Sequence, residues 1–213
     1  MKRIIIAVFS LSLLSPSCGG KKESEKSIIE ESRKLSENAS INTEIKRLKK
    51  ELKEVKEDFK KAGITTEIAG LEASKGNYSE AIKTAEEAVK LDPQQSEARY
   101  VLGRSYMSTG RYNAAEKNLK EALEIKPDHP SALFEMGNYY YKKGNFLKAI
   151  TAYEQSLKFD ENNYMAHNNL GVLYYLTGRY QKSETELQAV LKLKPDLQGV
   201  HKNLGILFNL NLK

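Results

Sequence analysis

Four glycines, Gly76, Gly110, Gly144 and Gly178, stand 34 residues apart in the tripeptides GNY, GRY, GNF and GRY. A second ladder of the same step runs through Ala69, Gly103, Gly137, Gly171 and Gly205. A third, Pro93, Pro127 and Pro195, is interrupted only at Glu161, in FDENN. Three ladders with one period mean that the chain is written as copies of one supersecondary unit, and a period of this length belongs to repeat architectures. Whole stretches recur accordingly: LGRSYMSTGRY at 102 returns as MGNYYYKKGNF at 136 and as LGVLYYLTGRY at 170.

Each ladder has a physical reading. A glycine after a helical run can take positive φ and end that helix. The aromatic residue two positions later, Tyr78, Tyr112, Phe146 or Tyr180, then opens a return helix, which makes each unit a helical hairpin. The Ala69/Gly103 column lies inside a helix, where glycine costs about 1 kcal/mol relative to alanine, so close approach of a neighbouring helix is the expected compensation. The prolines in LDP, IKP and LKP end the return helix, because they fix φ and lack an N–H.

The hydrophobic spacing agrees. Leu102, Gly103 and Tyr106, like Met136, Gly137 and Tyr140 and like Leu170, Gly171 and Tyr174, share one face of a helix, while Ala115, Leu119, Ala122 and Leu123 do so in the return helix. No stretch shows sustained strand alternation, and the class is all-α. This pattern of small and aromatic columns in the first helix, Ala in the second and a closing Pro resembles the tetratricopeptide repeat. The resemblance implies a right-handed α-α superhelix of four repeats, 62–95, 96–129, 130–163 and 164–197. The first departs from the family at Thr65, Ile68 and Glu72, and the fourth has Ser183 where Ala is usual. By the same resemblance GVHKNLGILFNLNLK, within 198–213, is a capping helix over the last repeat.

The remaining segments carry other signals. MKR followed by the apolar run Ile4–Leu14 and then SPSC has the layout of a secretory signal over 1–17, and the run is too short to span a membrane. The only cysteine, Cys18, cannot form an internal disulfide. LLSPSC resembles the bacterial lipobox, although Ser15 and Pro16 are unusual there, and this resemblance makes Cys18 the lipidated residue. The alternative is an ordinary cleaved signal that leaves a free thiol. Residues 18–40, rich in Lys, Glu and Ser, read as a solvated spacer. Ile41, Ile45, Leu48, Leu52, Val55 and Phe59 form a heptad seam, which predicts an amphipathic helix over 41–61 that stops at Gly63. Either it caps the first repeat or it forms a homodimer through a short coiled coil; three heptads are marginal alone, which favours the cap.

Function is sought on the first-helix stripe that packing leaves over. That stripe holds Glu97, Tyr100, Arg104 and Met107, then Ser131, Phe134, Asn138 and Tyr141, then Met165, Asn168, Val172 and Tyr175, and it continues through Gly199, Lys202 and Ile206. Aromatic rings mixed with Arg, Asn and Lys suit a bound peptide. The candidate peptide-binding residues are therefore Tyr100, Arg104, Met107, Phe134, Asn138, Tyr141, Asn168, Tyr175 and Lys202. The family's carboxylate clamp finds its amides in Asn138 and Asn169, but Phe134, Gly199 and Asn203 stand where it needs cations. Catalytic motifs and phosphate-binding loops are absent, no cofactor is expected, and a metal site on His167 and His201 would lack a third donor. The net charge is +6, yet residues 21–61 hold thirteen basic and ten acidic side chains, and little excess remains for the repeats, so nucleic acid is not an expected partner. The expectation is a non-catalytic scaffold of the bacterial cell envelope. It would be exported, held to a membrane by a lipid anchor, facing the periplasm or the cell surface with the outer membrane as its home, and would bind proteins or peptides. By resemblance, such lipoproteins serve outer-membrane protein assembly, pilus biogenesis or recruitment of cell-wall hydrolases. The alternative is a surface-exposed lipoprotein that binds host or matrix components.

Overall fold

The computed structural model describes residues 21–197, 199, 200 and 204. Among these, nine α-helices follow one another without a strand: α1 (Lys21–Glu54), α2 (Asp58–Ser74), α3 (Tyr78–Leu91), α4 (Ser96–Ser108), α5 (Tyr112–Ile125), α6 (Pro130–Lys142), α7 (Phe146–Phe159), α8 (Tyr164–Leu176) and α9 (Tyr180–Leu193). Two compact units are distinguished, Met1–Glu44 and Ile45–Lys213. The described part of the first is helical, with Ile29 and Leu35 exposed. The second is a solenoid of four helical hairpins, α2/α3 through α8/α9.

Each hairpin turns on its glycine. Gly76, Gly110, Gly144 and Gly178 have φ between 73° and 84°, a region closed to most side chains. The next residue's N–H reaches back to the helix, as in Arg111 N–H to Tyr106 O at 2.9 Å and Arg179 N–H to Tyr174 O at 2.8 Å, which completes a Schellman stop. The return helix then begins on the aromatic residue in every hairpin. At the other end, all four return helices stop at the same repeat position, α7 included, although Glu161 replaces the proline there. Asp160 has nearly the extended φ of −141° that Asp92 takes at −142°, so the stop does not depend on the ring.

The internal glycines are explained by their own hairpin. A Cβ on Gly103 would come within 2.6 Å of Leu119 Cγ, on Gly137 within 2.5 Å of Tyr153 Cε1, and on Gly171 within 2.7 Å of Leu187 Cδ2. Ser183, the departure from Ala, is buried and donates to Gly171 O at 2.6 Å, which adds a bond between α9 and α8. Buried clusters then fill the space from hairpin to hairpin, for example Ile82, Ala85, Val101 and Leu102, and Ile150, Tyr153, Leu170 and Leu173. Tyrosines pin successive hairpins: Tyr106 donates to Glu86 at 2.8 Å, Tyr139 to Glu116 at 2.6 Å, and Tyr174 to Glu154. Burial and the neighbouring Glu116 push the Tyr139 hydroxyl up to about 12, so it stays a donor.

The segments before the repeats differ from the sequence reading. Residues 21–40 are helical rather than a flexible spacer, as their Lys and Glu content permits. The helix ends at Glu54, not at Gly63, and Glu57 takes an extended φ/ψ of −74°/127° before α2 starts. Of the heptad seam, Ile45 and Leu48 are buried, whereas Phe59 lies 64% exposed beyond the break. Gly63 sits in the interior of α2, where nothing lies within 4 Å of an added Cβ. The break carries no Gly or Pro. It is set by α2 joining the first hairpin through Ala62, Thr65, Thr66, Ile68 and Ala69, all buried. At the C-terminal end, Val200 and Leu204 are helical and packed on Leu187 and Val190, the contact a cap would make. Cys18 and Lys202, together with the segment 1–17, lie outside the described residues.

Candidate functional site

Successive first helices α4, α6 and α8 line a pocket of about 430 Å³. Met107 and Ser108 come from α4, Glu135, Asn138, Tyr141 and Lys142 from α6, Asn169 and Val172 from α8, and Tyr153 reaches in from return helix α7. Hairpin geometry accounts for Tyr153: the small Gly137 lets α7 approach α6, and the tyrosine ring lies where Leu119 and Leu187 lie in the neighbouring hairpins. Its longer side chain carries a hydroxyl through to the first-helix face.

That hydroxyl organises the pocket floor. Tyr153 Oη donates to Asn138 Oδ1 at 2.6 Å and accepts from Asn169 Nδ2 at 3.1 Å. Asn169 Nδ2 also approaches Asn138 Oδ1 at 3.3 Å, and Asn138 Nδ2 donates to Glu135 Oε2 at 3.0 Å. The donors therefore run in one direction on each side of Asn138, and its amide orientation is fixed by having a carboxylate on one edge and a phenol on the other. Burial raises the Tyr153 hydroxyl well above its ordinary value, which keeps it a donor. Burial also pushes the Glu135 carboxyl up, with the Asn138 bond and the more distant charge of Arg104 pulling the other way.

The stripe residues read from sequence divide between this pocket and the packing beside it. Met107, Asn138 and Tyr141 line it, Tyr141 with 41% of its surface exposed. Phe134 turns inward instead, its ring 5.5 Å from that of Tyr153. Tyr100 packs on the His129 ring at 5.1 Å, and burial raises its hydroxyl while the charge of Arg104 opposes that rise. Asn168 is half-buried, its Nδ2 at 3.5 Å from Asn169 Oδ1. Tyr175 sits by Tyr180, ring centres 5.8 Å apart, against the cluster of Leu187 and Val190.

Glu135 and Tyr153 were not among the sequence candidates, and Asn169 entered only as a clamp amide. The repeat columns carry the missing signal: Val101, Glu135 and Asn169 occupy one position, and Leu119, Tyr153 and Leu187 another. At these places Glu135, Asn169 and Tyr153 bring polar atoms to the pocket where Val101, Leu119 and Leu187 are apolar; Glu67, which holds the first position in the first hairpin, is exposed and lies away from it. The two clamp amides are bonded to each other through Tyr153 rather than standing free.

The histidines serve packing. His129 Nε2 meets Glu97 Oε2 at 3.0 Å, and His167 bonds Glu186 through Nδ1 at 2.6 Å and Glu161 O through Nε2 at 3.0 Å. His201 lies outside the described residues, among which no group of three metal-ligating side chains is found.

A solenoid of glycine-hinged hairpins with a pocket on its first-helix face defines a class of helical repeat proteins. Tetratricopeptide-repeat profiles match residues 73–133, 137–178 and 164–197, and the chain belongs to that family. Among curated proteins none matches this sequence. Solved structures with the same fold include YrrB, described as a TPR protein with an unusual peptide-binding site; it is 21% identical, with 77% of this chain and 83% of that one covered and a TM-score of 0.62. A thermophilic TPR protein of Thermus thermophilus is 18% identical over 82% of this chain and 93% of its own, with a TM-score of 0.65. The MamA protein is 22% identical over 70% and 81%, with a TM-score of 0.60. At these identities the likeness is one of fold.

Proposed function

We propose that the chain is a non-catalytic scaffold of the bacterial cell envelope that holds an extended peptide or protein segment against α4, α6 and α8. The pocket carries this reading. It offers apolar area from Met107, Tyr141 and Val172 beside hydrogen-bonding amides, the combination that binds a peptide by side-chain area and backbone polarity together. YrrB, of the same fold, is described as having a peptide-binding site, which adds support. The envelope location rests on the signal-like segment 1–17 and on Cys18 as the lipidated residue. Among the described residues no helix is long and apolar enough to cross a membrane.

Crosslinking and pull-down from native membranes tests the reading, with the wild-type chain compared against a Met107→Ala/Tyr141→Ala variant of matched helicity. Defined envelope proteins that appear with the wild type and vanish with the variant are the expected result. Identical lists from the two would remove the groove as the working surface. Attachment is checked separately: Cys18→Ala is expected to lose label from a fatty-acid precursor and to leave the membrane fraction, and retention of both would overturn the anchor.

A further inference from the structure

We propose that this groove selects a partner segment carrying a lysine or arginine side chain, whose cationic end is received by Glu135. The inference rests on the peptide-binding reading above and adds the chemistry of the residue that is read. Glu135 lies half-buried on the pocket wall, and its hydrogen bond is the single one from Asn138 Nδ2 at 3.0 Å. It forms no ion pair among the described residues. Arg104, on the adjacent first helix, acts on it only at a distance, and its charge bears on the Tyr100 hydroxyl as well. Lys142 stands exposed two turns further along α6.

A carboxylate partly removed from water, without a cation of its own, is unfavourable in the empty groove, and an arriving ammonium or guanidinium group relieves that cost. The repeat column shows that the fold does not demand it, since Val101 fills the equivalent place one hairpin earlier. The surroundings suit a cation. Tyr141 presents an exposed ring at the same pocket, a surface over which a cation is attracted. Asn138 is turned so that its carbonyl faces Tyr153 and Asn169, leaving the Glu135 carboxylate as the strongest acceptor on the floor. An acidic side chain or a terminal carboxylate would meet like charge there.

A phage-displayed library of random linear peptides is panned on the full chain, and clones are kept only if they fail to bind the Met107→Ala/Tyr141→Ala variant. The expected clones share Lys or Arg at one fixed position. A synthetic peptide of that sequence, measured by fluorescence anisotropy, loses affinity by about 10- to 100-fold on Glu135→Gln, the range for a hydrogen bond to a charged group. Replacing its cation by Gln causes a similar loss, and combining both changes adds little more. Glu135→Gln keeps an acceptor for Asn138, and its circular dichroism and melting show that the loss is not one of folding. Groove-dependent clones without a fixed cation, or full affinity in Glu135→Gln, overturn the role of Glu135 and leave peptide binding standing. If no clone depends on the groove, peptide binding itself falls and this inference with it.

Discussion

Glu135 is a side chain kept at a cost, and that makes it testable through stability as well as binding. Burial raises its carboxyl above the ordinary 4.5, so the folded chain holds this proton more tightly than the unfolded chain does. The sign follows: its contribution is least unfavourable below pH 4.5 and becomes more unfavourable as pH rises from there through the folded value. Glu135→Gln is therefore expected to raise the denaturant midpoint at pH 7, with the advantage fading toward pH 4; an advantage that grows on acidification would refute the assignment. Tyr153→Phe works in the opposite direction. It removes the hydroxyl from between two amides and is expected to destabilise by about 1–2 kcal/mol in urea unfolding, the cost of leaving half-buried amide groups short of a partner.

At the scale of the element, two helix-interior glycines should respond oppositely to the same change. Gly137→Ala sets a methyl against the Tyr153 ring and is expected to cost about 1–3 kcal/mol. Gly63→Ala meets nothing within 4 Å in α2 and is expected to gain about 0.5–1 kcal/mol from helix propensity alone. Chemical denaturation of the two variants decides both. The contrast also shows why α1 and α2 were misjudged from sequence. Gly63 looks like a stop because glycine ends helices by taking positive φ, but here no turn requires that φ and the residue stays helical. The break falls instead after Glu54, in VKE, a tripeptide with no breaker.

For the whole molecule, hairpins that touch chiefly their neighbours should lose stability locally rather than all at once. Val200 is buried against Leu187 and Val190 at the C-terminal end of the stack. Val200→Asp is expected to increase amide hydrogen exchange first in α8 and α9, leaving α2 to α5 protected; uniform loss of protection would mean that the solenoid unfolds as one unit.

The sequence by itself determined the hairpin. Its period, its turns and its close-packed glycines follow from local rules, because positive φ and the absence of Cβ are demands that few residues meet, and they recur at each copy. It also pointed to the first-helix face, since packing uses up the other columns. What only the tertiary structure decided is which of those residues face a pocket and which turn inward. Tyr100, Phe134 and Tyr141 have the same character and each packs on a ring, His129, Tyr153 and Phe146, but only Tyr141 stays exposed at the pocket. Tyr153 reaches the pocket from a return helix, across a contact 16 residues away in sequence at Gly137. Such choices depend on the neighbour that fills the adjacent space, and no periodicity along one helix records who that neighbour is.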